Sequence, residues 1–265
     1  MQKKQIAIGF FGISRSLRWT APSIRKNIII PLKTLGNVRV YGHFYKISFI
    51  KNQRTGENNL VDADDYKNLK FDKLLVEKSD KVLKEVNYKK IFLYGDAWND
   101  NGKSLSNLIH QLNSLKKLAT LIIKQKPDVV VLARPDLYYH DNFIDVVKSH
   151  LRLPAHYVSL PHWQWFGGVN DRFAVLGFEA FLAYANRLDD IHEFLKKEKK
   201  PLHSENFLWK TLINHHMIIL PIGIKADRIR SNGKAASEGF EPLTFLRKIR
   251  LTWANFRSRL KRLYY

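Results

Sequence analysis

Apolar residues in this chain come in short runs, each closed by a polar cluster. Residues 6–11, 38–44, 90–94, 129–133, 157–160 and 217–222 read as strands. The run at 129–133 is continuous rather than alternating and rich in valine, as a strand buried on both faces of a parallel sheet would be. It is the predicted central strand. Between the runs, the pattern shifts to helical spacing. Pro22 and Ser23 open a helix toward Ile30, and residues 71–86 suit a short charged helix. Residues 105–123, capped by Ser104 or Ser106, carry a stripe of Leu108, Leu112, Leu115, Leu118 and Ile122. Further helices are predicted at 143–150, capped by Asp141, at 178–195, and from a Ser204 cap through Asn214. Residues 51–70 read as a long polar loop. Strand 90–94, helix 105–123 and strand 129–133 would form one right-handed βαβ unit. The alternation defines an α/β fold with a mostly parallel central sheet flanked by helices.

Composition narrows the picture. With 45% apolar residues among 265, the chain can bury one α/β domain over residues 1–240, with a helical appendage at 241–265. It has no cysteine, so a metal would bind through oxygen or nitrogen, and the compartment is expected to be reducing. The N-terminal apolar stretch imitates a signal peptide but is short, runs into Arg15 and Arg18, and lacks a small-residue cleavage site. No stretch approaches the ~18 apolar residues of a membrane span, which leads us to expect a cytoplasmic protein, soluble or peripheral. A net charge of +21 implies a polyanionic partner: nucleic acid, anionic lipid or a phosphorylated substrate. No helix-turn-helix, zinc-finger or RNA-binding signature is present, so no specific nucleic acid is expected, although a basic nucleic-acid-binding protein stays open as an alternative. A dinucleotide fingerprint is missing, and a triphosphate P-loop fails because Ala97 stands where its first glycine belongs. No organic cofactor is expected.

In open α/β sheets, ligands bind at the carboxyl ends of the strands. The polar clusters that follow the apolar runs are therefore the candidates. Gly12, Arg15 and Arg18 follow the first strand, where glycine lets a backbone approach a phosphate and arginine offsets its charge. Arg134-Pro-Asp136 follows the central strand, either as a salt bridge closing the strand end or as a site. The segment Pro161-His-Trp-Gln-Trp-Phe-Gly-Gly-Val-Asn-Asp-Arg172 holds two tryptophans and two glycines, a composition suited to stacking a sugar or base. His203 and Glu205 sit at a helix start, where a capping carboxylate is the simple reading of Glu205. Arg228 and Arg230 follow the last strand. Asp62-Ala-Asp64 follows no strand and reads as a solvated acidic turn.

With Arg134-Pro-Asp136, Gly167-Gly-Val-Asn-Asp-Arg172, Ser204-Glu-Asn206 and Arg228-Ile-Arg230 in view, the chain resembles the GT-A-like glycosyltransferases of bacterial surface-polysaccharide clusters, over residues from about 5 to 235. The resemblance implies a single GT-A-like, Rossmann-like domain that moves a sugar from a nucleotide-sugar donor to a saccharide or lipid-linked acceptor. It places Gly12, Arg15, Arg18, Arg134, Asp136, Arg228 and Arg230 at the donor, and Trp163, Trp165, Gly167, Gly168 and Asn170 at the acceptor. Asp171 would be the base, with Glu205 the alternative. Because Arg134 replaces the first acid of an Asp-x-Asp, two arrangements are open. Asp136 with His203 could hold Mn²⁺ or Mg²⁺, or the guanidinium itself could offset phosphate charge. A nucleotidyl- or phosphoryl-transferring enzyme shares the sheet and the arginines.

Residues 243–265 contain no acid. Leu246, Ile249, Trp253, Phe256, Leu260 and Leu263 recur at steps of three and four and form an apolar stripe flanked by arginine and lysine. Such a basic amphipathic helix packs on its own domain or a second subunit, or lies on an anionic membrane; positive charge without compensating acids favours the membrane, so a peripheral protein on its inner face is expected.

Overall fold

The computed structural model describes residues 3–52, 56–78 and 81–264. The chain runs β1 (Gln5–Gly12), α1 (Leu17–Ile24), a π-helical stretch (Arg25–Ile29), α2 (Ile30–Lys33), β2 (Asn37–Tyr45), β3 (Phe49–Asn52), β4 (Glu57–Leu60) and β5 (Lys73–Glu77). It continues through α3 (Val82–Glu85), α4 (Tyr88–Phe92), α5 (Lys103–Ile123), β6 (Val129–Ala133), β7 (Leu137–Tyr139), α6 (Ile144–His150), β8 (Tyr157–Pro161) and β9 (Ala174–Gly177). The last part is α7 (Phe178–Ala185), α8 (Ile191–Glu198), α9 (Ser204–Asn214), β10 (Ile218–Ile222), β11 (Ala226–Ile229), β12 (Ala235–Ala236) and α10 (Phe245–Leu263).

The main sheet has seven strands in the order β10-β8-β9-β6-β1-β2-β5. All pair in parallel except β9, which runs antiparallel to both of its neighbours. β1 and β6 lie at its centre, and every residue of β6 is buried. Side chains alternate along these strands. Ile6, Ile8, Phe10, Val129 and Val131 meet the buried residues of α1, while Ala7, Val130 and Leu132 meet Leu115, Leu118 and Ile122 of α5. Gly9 stands where α5 comes closest, because a Cβ there would lie 2.7 Å from Leu118 Cδ2. The sheet is covered by helices on both faces, as its continuous apolar strands require.

Several elements differ from the sequence expectation. Residues 90–92 belong to α4 and 93–94 to the turn that ends it, with Ile91 buried and Leu93 turned outward, so the expected βαβ unit does not exist. Instead β5, within the segment expected to be helical, is the strand before α5, and the connection passes over β2 and β1 to reach β6. The expected long loop holds β4 and the end of β3, which pair antiparallel. Helix α1 starts at Leu17, earlier than Pro22, because the Asp65 carboxylate accepts the Leu17 and Arg18 backbone N–H groups. Gly102, in a left-handed conformation, takes the cap position of α5 that a serine was expected to fill. Asp141 binds the Lys225 N–H, and Asn142 accepts from Ile144 at the start of α6. The expected helix at 178–195 is broken into α7 and α8 by a 3₁₀ turn.

Helix α10 is seated on the body. Leu251 joins the main core, Ala254 packs against it, and Ser258 is buried. The Asn255 amide donates to Ile219 O at 2.8 Å and its Oδ1 accepts from Ile219 N at 2.9 Å, so one side chain satisfies the exposed edge of β10. Replacing Asn255 with alanine leaves that backbone pair without a protein partner and is expected to lower stability by about 2 kcal/mol in urea unfolding. An unchanged midpoint would mean that water serves the edge equally well.

Candidate functional site

The register brings the predicted clusters to one sheet edge. Gly12 pairs with Phe44, Phe10 with Ala133, Leu132 with Ala174 and Pro161 with Ile222, so the chain leaves β1, β6 and β8 and enters β9 on the same side. After β1, Gly12 adopts φ +100°, and its N–H donates to Ser114 Oγ at 2.7 Å. This turn directs Arg15 inward. After β6, the chain forms the short strand β7, whose pairing with β11 draws Arg228 to Arg230 over the same edge.

Asp136 is the hub. Its Oδ1 accepts from Arg134 Nε at 2.8 Å, and its Oδ2 accepts from Arg134 Nη2 at 2.7 Å and from Arg15 Nη2 at 3.1 Å. The group is 3% exposed. Burial alone would raise its pKa, but Arg134, Arg15 and Arg228 outweigh burial and hold the carboxyl well below the usual range. Burial likewise opposes the charge on Arg134, and Asp136 more than restores it. A second carboxylate, Glu57 of β4, accepts from Arg15, Arg230 and both the N–H and hydroxyl of Ser231. Arg172 pairs with Glu238 at 2.9 Å and lies over the Trp163 ring at 4.8 Å. Arg228 is pushed down to about 10 by burial and by Arg134. Arg228 Nε and Arg172 Nη1 are buried without a hydrogen-bond partner.

Asp171 borders this cluster, acting electrostatically on both Arg134 and Glu205. Glu205 opens α9 and binds the loop before Asp171. Its Oε2 accepts from Phe166 N at 2.5 Å and its backbone oxygen accepts from Val169 N at 3.2 Å, while Asn206 donates to Gly167 O at 3.1 Å. Gly168 is required here, since a Cβ would come within 2.0 Å of Glu205 O. Burial first, and then the nearby Asp171 charge, push the Glu205 carboxyl up to about 8.

Some expected site residues are placed elsewhere. Trp163 and Trp165 are buried, their N–H groups bonded to Ile224 O and Pro161 O, so their rings are core and offer no platform to an acceptor. Asn170 is also buried and braces the loop by donating to Trp163 O. The exposed aromatic of this loop is Phe166, at 63%. Arg18 turns away to Asp62 and Asp65 and lies beside Trp19. The acidic turn is ion-paired, with Asp64 bound to Lys46 and Lys67. His203 stacks on Trp98 with ring centres 5.3 Å apart. The Asp136 oxygens are engaged by arginine N–H groups, and no group of three or more His, Asp or Glu side chains suited to a metal occurs among the described residues. Asp136 and His203 therefore do not fit a metal centre. Glu57 and Glu238 escaped the sequence reading because both lie in polar segments with no local motif; their partners are more than 40 residues away.

No protein-family model matches the chain, and no curated protein sequence does. Solved structures resemble it in outline. Mouse xyloside xylosyltransferase 1 in its apo form superposes with a TM-score of 0.44 at 12% identity, over 83% of this chain and 85% of its own. The galactosyltransferase LgtC, in complex with donor and acceptor sugar analogs, gives 0.39 at 10% identity, over 80% and 70%. The glycosyltransferase GlyE of Streptococcus pneumoniae gives 0.36 at 10%, over 80% of this chain and 43% of that one. At this level the likeness is one of outline and says nothing of what this chain acts on.

Two outcomes follow from the geometry. Asp136→Ala would strand Arg134 in a desolvated cluster, leaving Arg15 to Glu57 alone, and should lower unfolding free energy by about 3 kcal/mol; a stability loss under ~1 kcal/mol would show that Arg134 finds another partner. For Glu205, the folded chain keeps a proton that the unfolded chain loses above about pH 4.5, so stability falls as pH rises from there through about 8. Glu205→Gln removes that fall. Thermal melts from pH 5 to 9 should show the variant gaining on the wild type as pH rises, and parallel curves would contradict the assignment.

Proposed function

We propose that the protein is a nucleotide-sugar-dependent glycosyltransferase, acting from the cytoplasm on a hydroxyl of a saccharide or lipid-linked acceptor in bacterial surface-polysaccharide biosynthesis. The observation that carries this reading is the juxtaposition of a guanidinium cluster with spare buried N–H groups and an acidic pair at one sheet edge. A leaving nucleoside diphosphate needs cations on its oxygens, and a sugar hydroxyl needs a base within reach. Arg134, Arg172 and Arg228 supply the first, with Arg15 and Arg230 behind them, and Gly12 lets the first loop approach the phosphates.

In the proposed step, the acceptor hydroxyl gives its proton to the Asp171 carboxylate as its oxygen bonds to the anomeric carbon of the donor. The bond from that carbon to the β-phosphate oxygen breaks, and its electron pair leaves with the nucleoside diphosphate. Glu205 holds its own proton up to about pH 8, which gives the base role at neutral pH to Asp171 and leaves Glu205 to fix the Phe166–Val169 backbone. Phe166 and Gly167 replace the buried tryptophans as the proposed acceptor edge. Charge at the donor is offset by arginine rather than by a metal bound at Asp136.

Asp171→Asn is expected to retain nucleotide-sugar binding and to lose at least ~100-fold in turnover. A panel of nucleotide-sugars in thermal-shift assays identifies the donor, and single-turnover hydrolysis or transfer measures the loss. Full turnover in the variant, or stabilisation by nucleic acid in place of any nucleotide-sugar, would overturn the reading.

A further inference from the structure

Helix α10 faces two ways. Its seated side is Leu251, Ala254, Asn255, Ser258 and Arg262, the last donating to His216 O and pairing with Glu179. At roughly 100° per residue these positions fall within one narrow sector. Leu246, Ile249, Trp253, Phe256, Leu260 and Leu263 fall opposite, pointing straight away from the body. All six are exposed, Trp253 at 63% and Leu263 at 78%. An apolar face of this size is not left bare on a freely soluble surface without cause.

The charges say what covers it. Helix α10 carries seven arginines and lysines and no acid. Arg257 and Lys261 run along one flank of the stripe, and Lys248 and Arg259 along the other, where long side chains can reach past an apolar boundary to negative headgroups. A second copy of this helix would bring two uncompensated cationic rows together, and a nucleic acid would leave the apolar stripe wet. An anionic bilayer satisfies both features. We infer that the outward face of α10 docks on an anionic lipid surface, with Trp253, Phe256 and Leu260 inserted and the flanking cations at headgroup level.

The same helix reaches the candidate site. Arg247 acts on Glu205, and Arg250 stacks over Trp209 at 5.1 Å, in a shallow cleft shared with Trp165, Gly167 and Gly168. Docking would thus hold the acceptor edge close to the lipid surface. This placement stands whether or not the site transfers a sugar.

The seated side binds the β10 edge, so the test leaves the helix in place. Full-length protein is floated with vesicles of phosphatidylglycerol and phosphatidylcholine, and with phosphatidylcholine alone, alongside Trp253→Ser/Phe256→Ser/Leu260→Ser. The wild type should rise with the anionic vesicles, at least ~10-fold more than the triple variant, and more than with the neutral ones. Circular dichroism and light scattering of both proteins should match, because the substituted side chains touch solvent. Three results would overturn the inference: no flotation of the wild type, equal flotation of the triple variant, or a dimer in the wild type that the substitutions dissociate. Donor binding, measured separately, reports on the transferase reading without bearing on this one.

Discussion

One carboxylate holds the candidate site's edge together. Asp136 is buried at the end of the central strand, and it stays ionised only because Arg134 grips both of its oxygens and Arg15 adds a third bond. Desolvating a charge is costly, so neither acid nor base would tolerate this position alone. Their mutual neutralisation lets three chain segments meet: the first βα turn, the central strand end and, through β7 and β11, the arginines of the last strand. Glu57 repeats the device one layer out, tying Arg15, Arg230 and Ser231 to the β3–β4 hairpin.

The choice of arginine over lysine has a geometric reason. A guanidinium can pair with an acid through one edge and keep N–H groups for a ligand on another, which a single ammonium does less well. Arg172 is in this condition, paired with Glu238 and with Nη1 buried and lacking a partner, and Arg228 Nε is likewise buried without one. A site so built presents positive charge without a free, mobile cation.

On its other border, the site depends on a rigid loop. Trp163 and Trp165 anchor residues 161–172 in the core, Asn170 ties the loop back on itself, and Glu205 with Asn206 clamps its tip to the start of α9. The aromatic residues that draw the eye in the sequence thus position the loop, while the exposed Phe166 and the acidic pair lie where a ligand could meet them. The raised Glu205 pKa follows from burial and then from the Asp171 charge beside it, which together outweigh the lowering effect of the Phe166 N–H.

How much could be read in advance is clear from particular elements. The apolar run at 129–133 named itself as a central strand because a strand buried on both faces leaves an unbroken apolar signature, and the strands at 6–11, 38–44, 157–160 and 217–222 also kept their identity. Since parallel strands end on one side, the sequence also placed Arg15 and Arg134 near one edge, whereas Arg228 joins them only through the pairing of β7 with β11. Local pattern failed where packing overrode it. Residues 90–94 look like a strand yet form the end of a short helix and its turn with Ile91 buried, and β5 lies hidden in a charged segment because it is an edge strand with exposed leucines. Which side of a tryptophan faces water, which acid answers which arginine, and which face of α10 turns outward are settled by contacts between residues tens to hundreds of positions apart. The stripe of α10 was legible from its spacing alone. That it points away from the body was decided only by the tertiary structure, because Asn255 and Leu251 of the opposite face satisfy the edge strand and the core.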